Sequence, residues 1–299
     1  MRVVGIVLHP ERDDAGAVAA VLGWAARRGV QVLGVAEEIG RLNCAAVAVP
    51  PAELASRSDL LVSLGGDGTM LRAMRLADRH RAPVLGVNLG KLGFLAEVDV
   101  PDLPAALSAI DSHQYSVEPR LAVDAVIGEQ VATAFNDVAV VRFPGQPSAF
   151  VGVWAAGHPF VSYAADAIVV ATPTGSTAYS FSAGGPIVSP AVEALLVTPA
   201  APHSAYNRGL VTSINDSLDL EVLPPSGSLA VEVDGQVAAH VNAGDRISLR
   251  PRPGAAHVVR LGHTSFYERA RRKLRLTDSA EIPARTLAPA QPATGEADQ

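Results

Sequence analysis

Cysteine is all but missing: Cys44 is the single thiol among 299 residues, so neither an internal disulfide nor a cysteine-ligated metal cluster is possible, which fits a reducing compartment. Charge is also sparse. Charged residues make up 18%, and the net charge of -6 is the wrong sign for a nucleic-acid surface. Small anionic substrates stay open, because a few local cations and backbone N–H groups can bind a phosphate on an acidic protein. Long apolar runs are absent. The opening stretch from Met1 to His9 stops at Pro10-Glu11-Arg12-Asp13-Asp14, too short to span a membrane and without a small-residue cleavage site, and reads as a β-strand. No later stretch is long and apolar enough to cross a bilayer, so a soluble, cytoplasmic protein with no membrane partner is expected. Two nucleotide-binding signatures are missing as well. Gly86 to Lys91-Leu92 has the wrong spacing for G-x-x-x-x-G-K-[ST] and no hydroxyl after the lysine, and no loop spells G-x-G-x-x-G. No internal repeat is visible.

What is present is ample apolar material, 48% of residues, on a chain long enough for two domains. Val3 to Leu8 is a continuous apolar run, as in a strand covered on both faces. Asp14 to Arg28 carries Ala17, Val18, Val21, Leu22, Trp24 and Ala25 near helical spacing, with Gly29 placed to stop it. Val30 to Val35, Asp59 to Leu64 and Pro83 to Val87 read as strands, Thr69 to His80 and Leu103 to Ile110 as helices. Strands alternating with helices predict an α/β domain with a parallel, doubly wound sheet over residues 1–113. From residue 114 to 262 the texture changes to short runs rich in Val, Ala and Ile, such as Leu121 to Ile127, Phe150 to Ala155, Phe160 to Tyr163 and Ile168 to Val170. Gly157-His158-Pro159 looks like a turn between two of them. This half predicts a β-rich, antiparallel, sandwich-like domain. Residues 263–276 hold a terminal helix with the basic run Arg269 to Arg275, read as a solvated face rather than a nucleic-acid patch. Residues 277–299, rich in Pro, Ala and acids, read as a flexible tail.

Two segments carry chemistry. Leu60 to Leu64 runs into Gly65-Gly66-Asp67-Gly68-Thr69 ahead of a helix. Glycines let backbone approach an anion, and the free N–H groups of a first helical turn face it. The carboxylate inside the loop is the unusual element: beside phosphates it is repulsive unless it holds a bridging cation or accepts a proton from an attacking hydroxyl. The bland alternative is a tight turn with a helix cap. The second segment follows the strand Asp166 to Ala171: Thr172-Pro173-Thr174-Gly175-Ser176-Thr177-Ala178-Tyr179-Ser180-Phe181-Ser182, closed by Gly184-Gly185-Pro186. Its hydroxyls can cap a helix or bond ribose and phosphate oxygens, and Tyr179 offers a ring to a base.

Together with Asn88-Leu89-Gly90-Lys91-Leu92-Gly93-Phe94-Leu95, Asn136-Asp137 and Asp234-Gly235-Gln236, in that order along most of the chain, these segments closely resemble the NAD kinase family. The glycine-aspartate loop alone is shared with diacylglycerol and sphingosine kinases and phosphofructokinases; joined to the threonine-rich segment it is highly specific. The resemblance implies an α/β domain plus a β-rich domain with NAD between them, ATP and NAD as substrates, a divalent metal ion (Mg²⁺) as cofactor with its ligands unassigned, and a homodimer or homotetramer. It makes Asp67 the proton acceptor, with Gly68 beside the ligand. Asn136 and Asp137 take the place of a paired Asn-Glu that holds the adenosine ribose, and Asp166 that of the acid reaching the nicotinamide end. Thr177, Ala178, Tyr179 and Ser182 match adenine and ribose contacts, with Ser180 and Phe181 taken as binding residues among them, Gln236 as a further contact, and Thr174 and Arg72 carried over as well.

Four positions depart from the family pattern. Asp137 stands for the usual Glu and reaches one methylene less far; Ala167 stands for Gly, and Arg208-Gly209-Leu210 for Arg-Pro-Leu; Ala164 lies where some members carry a basic residue. His263 is read as a surface or core histidine. The expected reaction is in-line attack of the NAD ribose 2′-hydroxyl on the terminal phosphate of ATP. A lipid kinase of the diacylglycerol type and a non-enzymatic NAD-binding protein are the rival readings.

Overall fold

A computed structural model describes residues 1–276 except Asp13, Asn43, Arg81, Lys91, Leu92, Ser204 and His263; the tail expected at 277–299 and the reading of His263 lie outside the described residues. The first half runs β1 (Val3–Leu8), α1 (Ala15–Ala26), β2 (Gln31–Val35), α2 (Ala36–Gly40), β3 (Val47–Val49), α3 (Pro51–Leu54), β4 (Leu60–Leu64), α4 (Asp67–Ala77), β5 (Val84–Asn88), β6 (Val98–Asp99) and α5 (Leu103–Asp111). Its strands pair in parallel in the order β5-β4-β1-β2-β3. Because β1 neighbours both β2 and β4, the connections run outward in opposite directions from it, and the β1–β4 border is the switch point where such sheets bind ligands. Side-chain alternation explains the continuous apolar runs: Val4, Ile6 and Leu8 of β1 pack with α1 and α5, while Val7 faces the core under α3 and α4.

The second half comprises β7 (Ser116–Ile127), β8 (Gln130–Ala134), β9 (Asp137–Arg142), β10 (Ala149–Ala155), β11 (His158–Ala165), β12 (Ala167–Ala171), the short helix α6 (Tyr179–Ser182), β13 (Ala194–Ala200), β14 (Leu210–Ser213), β15 (Leu218–Val222), β16 (Leu229–Val233), β17 (Gln236–Val241), β18 (Arg246–Arg260) and α7 (Phe266–Leu274). Six strands form an antiparallel sheet in the order β14-β13-β12-β9-β16-β17. Its inner face, with Val138, Val140, Ile168 and Val170, meets Val151, Val153, Leu220 and Ile247 from β10, β15 and β18 across one core. The expected sandwich is therefore present. The long strand β18 also pairs with β5, Val258 opposite Val84, so the two halves share one twelve-stranded sheet.

Three local expectations change. The helix expected over Thr69 to His80 begins at Asp67 and ends at Ala77, with no side-chain cap at its start. The hairpin turn is Ala156-Gly157, at φ 50° and 79°, while His158 and Pro159 already belong to β11; a two-residue hairpin needs positive φ at both central residues. The basic run is not wholly solvated: Arg269 is buried at 2% exposure, its guanidinium donating to the Thr264 carbonyl. Among the described residues no helix is long and apolar enough to cross a membrane.

Candidate active site

The glycine-aspartate loop leaves β4 at the switch point. The Gly65 amide donates to the Val87 carbonyl at 3.0 Å, and extended Gly66 leads directly into α4. Asp67 is thus the first helical residue. Its carboxylate is held by Phe94 and Leu95: Oδ2 accepts from the Phe94 amide and Oδ1 from the Leu95 amide, both at 3.1 Å. Gly68 is exposed, with nothing within 4 Å of where a Cβ would stand. An anion at this surface meets first-turn N–H groups with a fixed carboxylate beside them. Arg72, one turn on, is engaged elsewhere. Its guanidinium pairs with Glu38 at 2.6 Å and donates to the Leu8 carbonyl at 2.9 Å, so it ties α2 and β1 to α4.

In the second half the site grows from the Asn136-Asp137 turn at the start of β9. The Thr172 amide donates to the Asn136 carbonyl at 2.9 Å and the Thr172 hydroxyl to the Phe135 carbonyl at 2.6 Å. Gly175 then passes so close that a Cβ would lie 2.0 Å from the Asn136 carbonyl oxygen. Alternation along β9 and β16 sends Val138, Val231 and Val233 into the core and Asp137 and Glu232 to the outer face of the six-stranded sheet. The 174–185 segment crosses that same face. Asp137 is buried there and receives the Tyr179 amide. Burial, then the charge of Asp234 and more weakly that of Glu232, push its carboxyl up to about 7 despite that hydrogen bond.

The hydroxyl-rich run divides in two. Thr174, Ser176 and Ser180 are buried, and Ser176 and Ser180 bond within the protein, Ser180 with Thr198 at 3.0 Å and Ser176 with the Val188 amide at 3.0 Å. Ser180 therefore faces inward, with no part of the residue exposed. Thr177, Ala178 and Tyr179 are half-buried, Phe181 and Ser182 exposed, and the Thr177 hydroxyl returns to the Thr174 carbonyl at 3.3 Å. Tyr179 lies where burial first, and then the charges of Glu232, Asp137 and Asp166, raise its hydroxyl's pKa.

Asp166 stands apart. It precedes β12, whereas Asp137 lies opposite Ala171 at that strand's far end, a separation of roughly 17 Å at strand rise. Its carboxylate pairs with Arg142, which holds it below its ordinary value, and His203 approaches to 3.9 Å. Gln236 is exposed at the first position of β17.

Three residues that build this site carry little signal in the sequence. Asp234, whose side chain is fully buried, accepts from the amides of Phe135, Asn136 and Asp137 and from Arg75 of α4. The signal for Asp234 was its place before Gly235 in a motif of which only Gln236 was singled out; Arg75 carried none. Phe135 completes the join, sharing one buried core with Met70, Leu71, Met74 and Leu95.

A glycine-carboxylate loop at a switch point, facing a polar turn from a second β-rich half, defines a two-part nucleotide-dependent phosphotransferase. Comparison with known proteins agrees. The model of the ATP-NAD kinase N-terminal domain matches residues 4–115 and that of the C-terminal domain residues 135–261. The chain is 39% identical to NAD kinase 1 of Streptomyces avermitilis, over 97% of this chain and 92% of that one, and 36% identical to the NAD kinase of Desulforamulus reducens, over 92% and 98%. Among solved structures, yeast NADH kinase complexed with NADH superposes with a TM-score of 0.84 at 25% identity, covering 95% of this chain and 90% of that one. An NAD kinase from Archaeoglobus fulgidus in complex with ATP gives 0.73 at 25% identity, covering 92% and 99%. The chain belongs to the NAD kinase family.

Proposed function

We propose that the chain transfers the terminal phosphoryl group of ATP to the 2′-hydroxyl of the adenosine ribose of NAD, giving NADP. One observation carries this reading: Phe135 belongs to the same buried core as α4 and Leu95, so the Asn136-Asp137 turn is built onto the core shared by the helix and loop that hold the Asp67 carboxylate. In-line transfer between two nucleotides needs such a meeting of donor loop and acceptor turn, because positioning and charge neutralisation supply most of the catalysis.

In this reading, Gly68 and the first-turn amides of α4 face the phosphates of ATP. Each Asp67 oxygen accepts one amide and keeps lone-pair capacity, so one takes the proton of the attacking hydroxyl. In a loose transition state that proton moves late, and orienting the hydroxyl is the larger part of the role. Asn136 and Asp137 hold the ribose. Thr177, Ala178, Tyr179, Phe181 and Ser182 line the adenosine, with Thr174 and Ser180 shaping the wall, and Arg72 braces the donor side. Asp166 receives the nicotinamide end, its distance along β12 suiting an extended dinucleotide, and Gln236 adds a rim contact.

The residues fit a divalent cation that arrives on the nucleotide. Among the described residues no group of three His, Cys, Asp or Glu side chains is arranged to hold a metal, and Mg²⁺ commonly binds through phosphates and one or two carboxylates. Asp67 is the carboxylate that would face it, and the ion, when bound, neutralises phosphate charge. The lone thiol supports a cytoplasmic location. Exposed Phe160 and Val211 on the edge strands β11 and β14 support a homodimer or homotetramer.

Incubation with ATP, Mg²⁺ and NAD, with NADP read by chromatography, tests the reading. NADP formation is expected; phosphorylation of a diacylglycerol in its place would make the chain a lipid kinase, and NAD binding without turnover a non-enzymatic binder. Parallel reactions with polyphosphate and with NADH define the donor and acceptor range.

A further inference from the structure

Asp234 occupies an unusual place for a carboxylate. It sits at the tip of the β16–β17 hairpin with φ 47°, followed by Gly235 at φ 77°, and its side chain is fully buried. An Asp-Gly pair suits the positive-φ turn of a two-residue hairpin, but burying a carboxylate is costly unless it is fully paired. The pairing is extensive. Oδ1 accepts from Asn136 at 2.7 Å, Phe135 at 3.1 Å and Asp137 at 3.3 Å, and Oδ2 from Phe135 at 3.2 Å. Consecutive amides converging on an anion form a nest, here filled by the protein's own side chain. The shape of the turn that carries Asn136 and Asp137 is therefore dictated by Asp234.

The remaining partner comes from the other half of the molecule. Arg75 donates from Nη1 to Oδ2 of Asp234 at 3.0 Å. It stands on the helix that Asp67 begins, about 12 Å farther along the axis. A buried ion pair is weak ground for stability, since apolar replacements of equal volume often serve as well. What this pair does, and an apolar contact would not, is fix one end of a rigid helix against a specific hydrogen-bonded turn.

We infer that Arg75 and Asp234 are a positioning pair for phosphoryl transfer, setting where the ribose-holding turn stands relative to the Asp67 carboxylate. The inference rests on the kinase reading above. Neither residue touches the reacting atoms; each acts through what it holds.

The test is steady-state kinetics of the full chain with ATP, Mg²⁺ and NAD for the wild type, Arg75→Met, Arg75→Lys, Asp234→Asn and the double variant Arg75→Met/Asp234→Asn, alongside thermal melts and calorimetric NAD affinity. Methionine keeps the apolar stem and removes the guanidinium. Misplacing the acceptor by an ångström can cost on the order of 10²-fold, so Arg75→Met should lower kcat about 10–100-fold. Its KM and Kd for NAD should stay within about threefold, and Arg75→Lys should recover part of the loss. Asp234→Asn should cost less in the Arg75→Met background than alone, as expected for two ends of one link. Melting below assay temperature would disqualify a variant; the Arg75 variants alone then decide. If Arg75→Met stays folded and keeps kcat within twofold of wild type while its melting temperature falls, the pair is structural and the inference is overturned. A wild type that makes no NADP overturns the kinase reading instead.

Discussion

A Cβ at Gly93 would fall 2.2 Å from Oδ1 and 2.9 Å from Cγ of Asp67. Gly93 thus provides space: the Gly93-Phe94-Leu95 backbone must lie against the carboxylate for the Phe94 and Leu95 amides to reach it. Alanine there pushes the side chain off both amides while leaving the helix and sheet untouched. Gly93→Ala should lower turnover about 10–100-fold, the scale expected for loss of fine positioning, with near-normal melting. Turnover equal to wild type would show that the carboxylate tolerates displacement.

Asp67→Asn probes the same carboxylate chemically. The amide retains the size of the side chain but gives up the basic oxygen, and general-base contributions run at roughly 10²–10⁴-fold. A loss in that range is expected, with circular dichroism unchanged. An Asp67→Asn protein that turns over near the wild-type rate would falsify the proton-acceptor role.

Asp137 should make the protein pH-sensitive in an unusual direction. Its carboxyl is raised to about 7, first by burial and then by the Asp234 charge, against an ordinary 3.8. Between those values the unfolded chain has released a proton that the folded one still holds. The contribution to stability is therefore complete below about pH 4, is lost as pH rises through about 7, and stays lost above it. The span corresponds to on the order of a few kcal/mol. Asp137→Asn cannot ionise, so its melting temperature should gain on the wild type by several degrees between pH 5 and pH 8. Parallel pH curves for the two proteins would show that Asp137 titrates normally.

Several of these relations were legible in the residues and several were not. β1, β4 and β5 could be read because both faces of each are buried, which leaves unbroken apolar runs. α2, α3, β3 and β6 are too short to show a period. The start of α4 was misplaced because no side chain caps it, so the glycine loop reads on past Asp67. The hydroxyl-rich run announced a site, yet nothing local separates inward Ser180, bonded to Thr198, from half-exposed Thr177. Arg75 and Asp234 are 159 positions apart, and the pairing of Val258 with Val84 that merges the two halves is also long-range. Such pairings leave no periodic trace. Arg269 was read outward because charge within a basic run normally is, and docking of α7 overrides that rule.

Tyr179 offers the test that separates binding from chemistry. Its amide holds Asp137, and burial and the charges of Glu232, Asp137 and Asp166 raise its hydroxyl's pKa. The amide survives substitution, and Tyr179→Ala should leave Asp137 in place while removing the ring proposed to stack on adenine. Loss of a stacking partner is worth roughly 1–3 kcal/mol, so calorimetric affinity for NAD should fall by that amount. If the ring acts on binding alone, kcat at saturating NAD should remain within a few-fold of wild type, whereas Gly93→Ala should lower kcat and spare NAD affinity. Unchanged NAD affinity in Tyr179→Ala would take the adenine off this ring and move it elsewhere along the outer face of the six-stranded sheet.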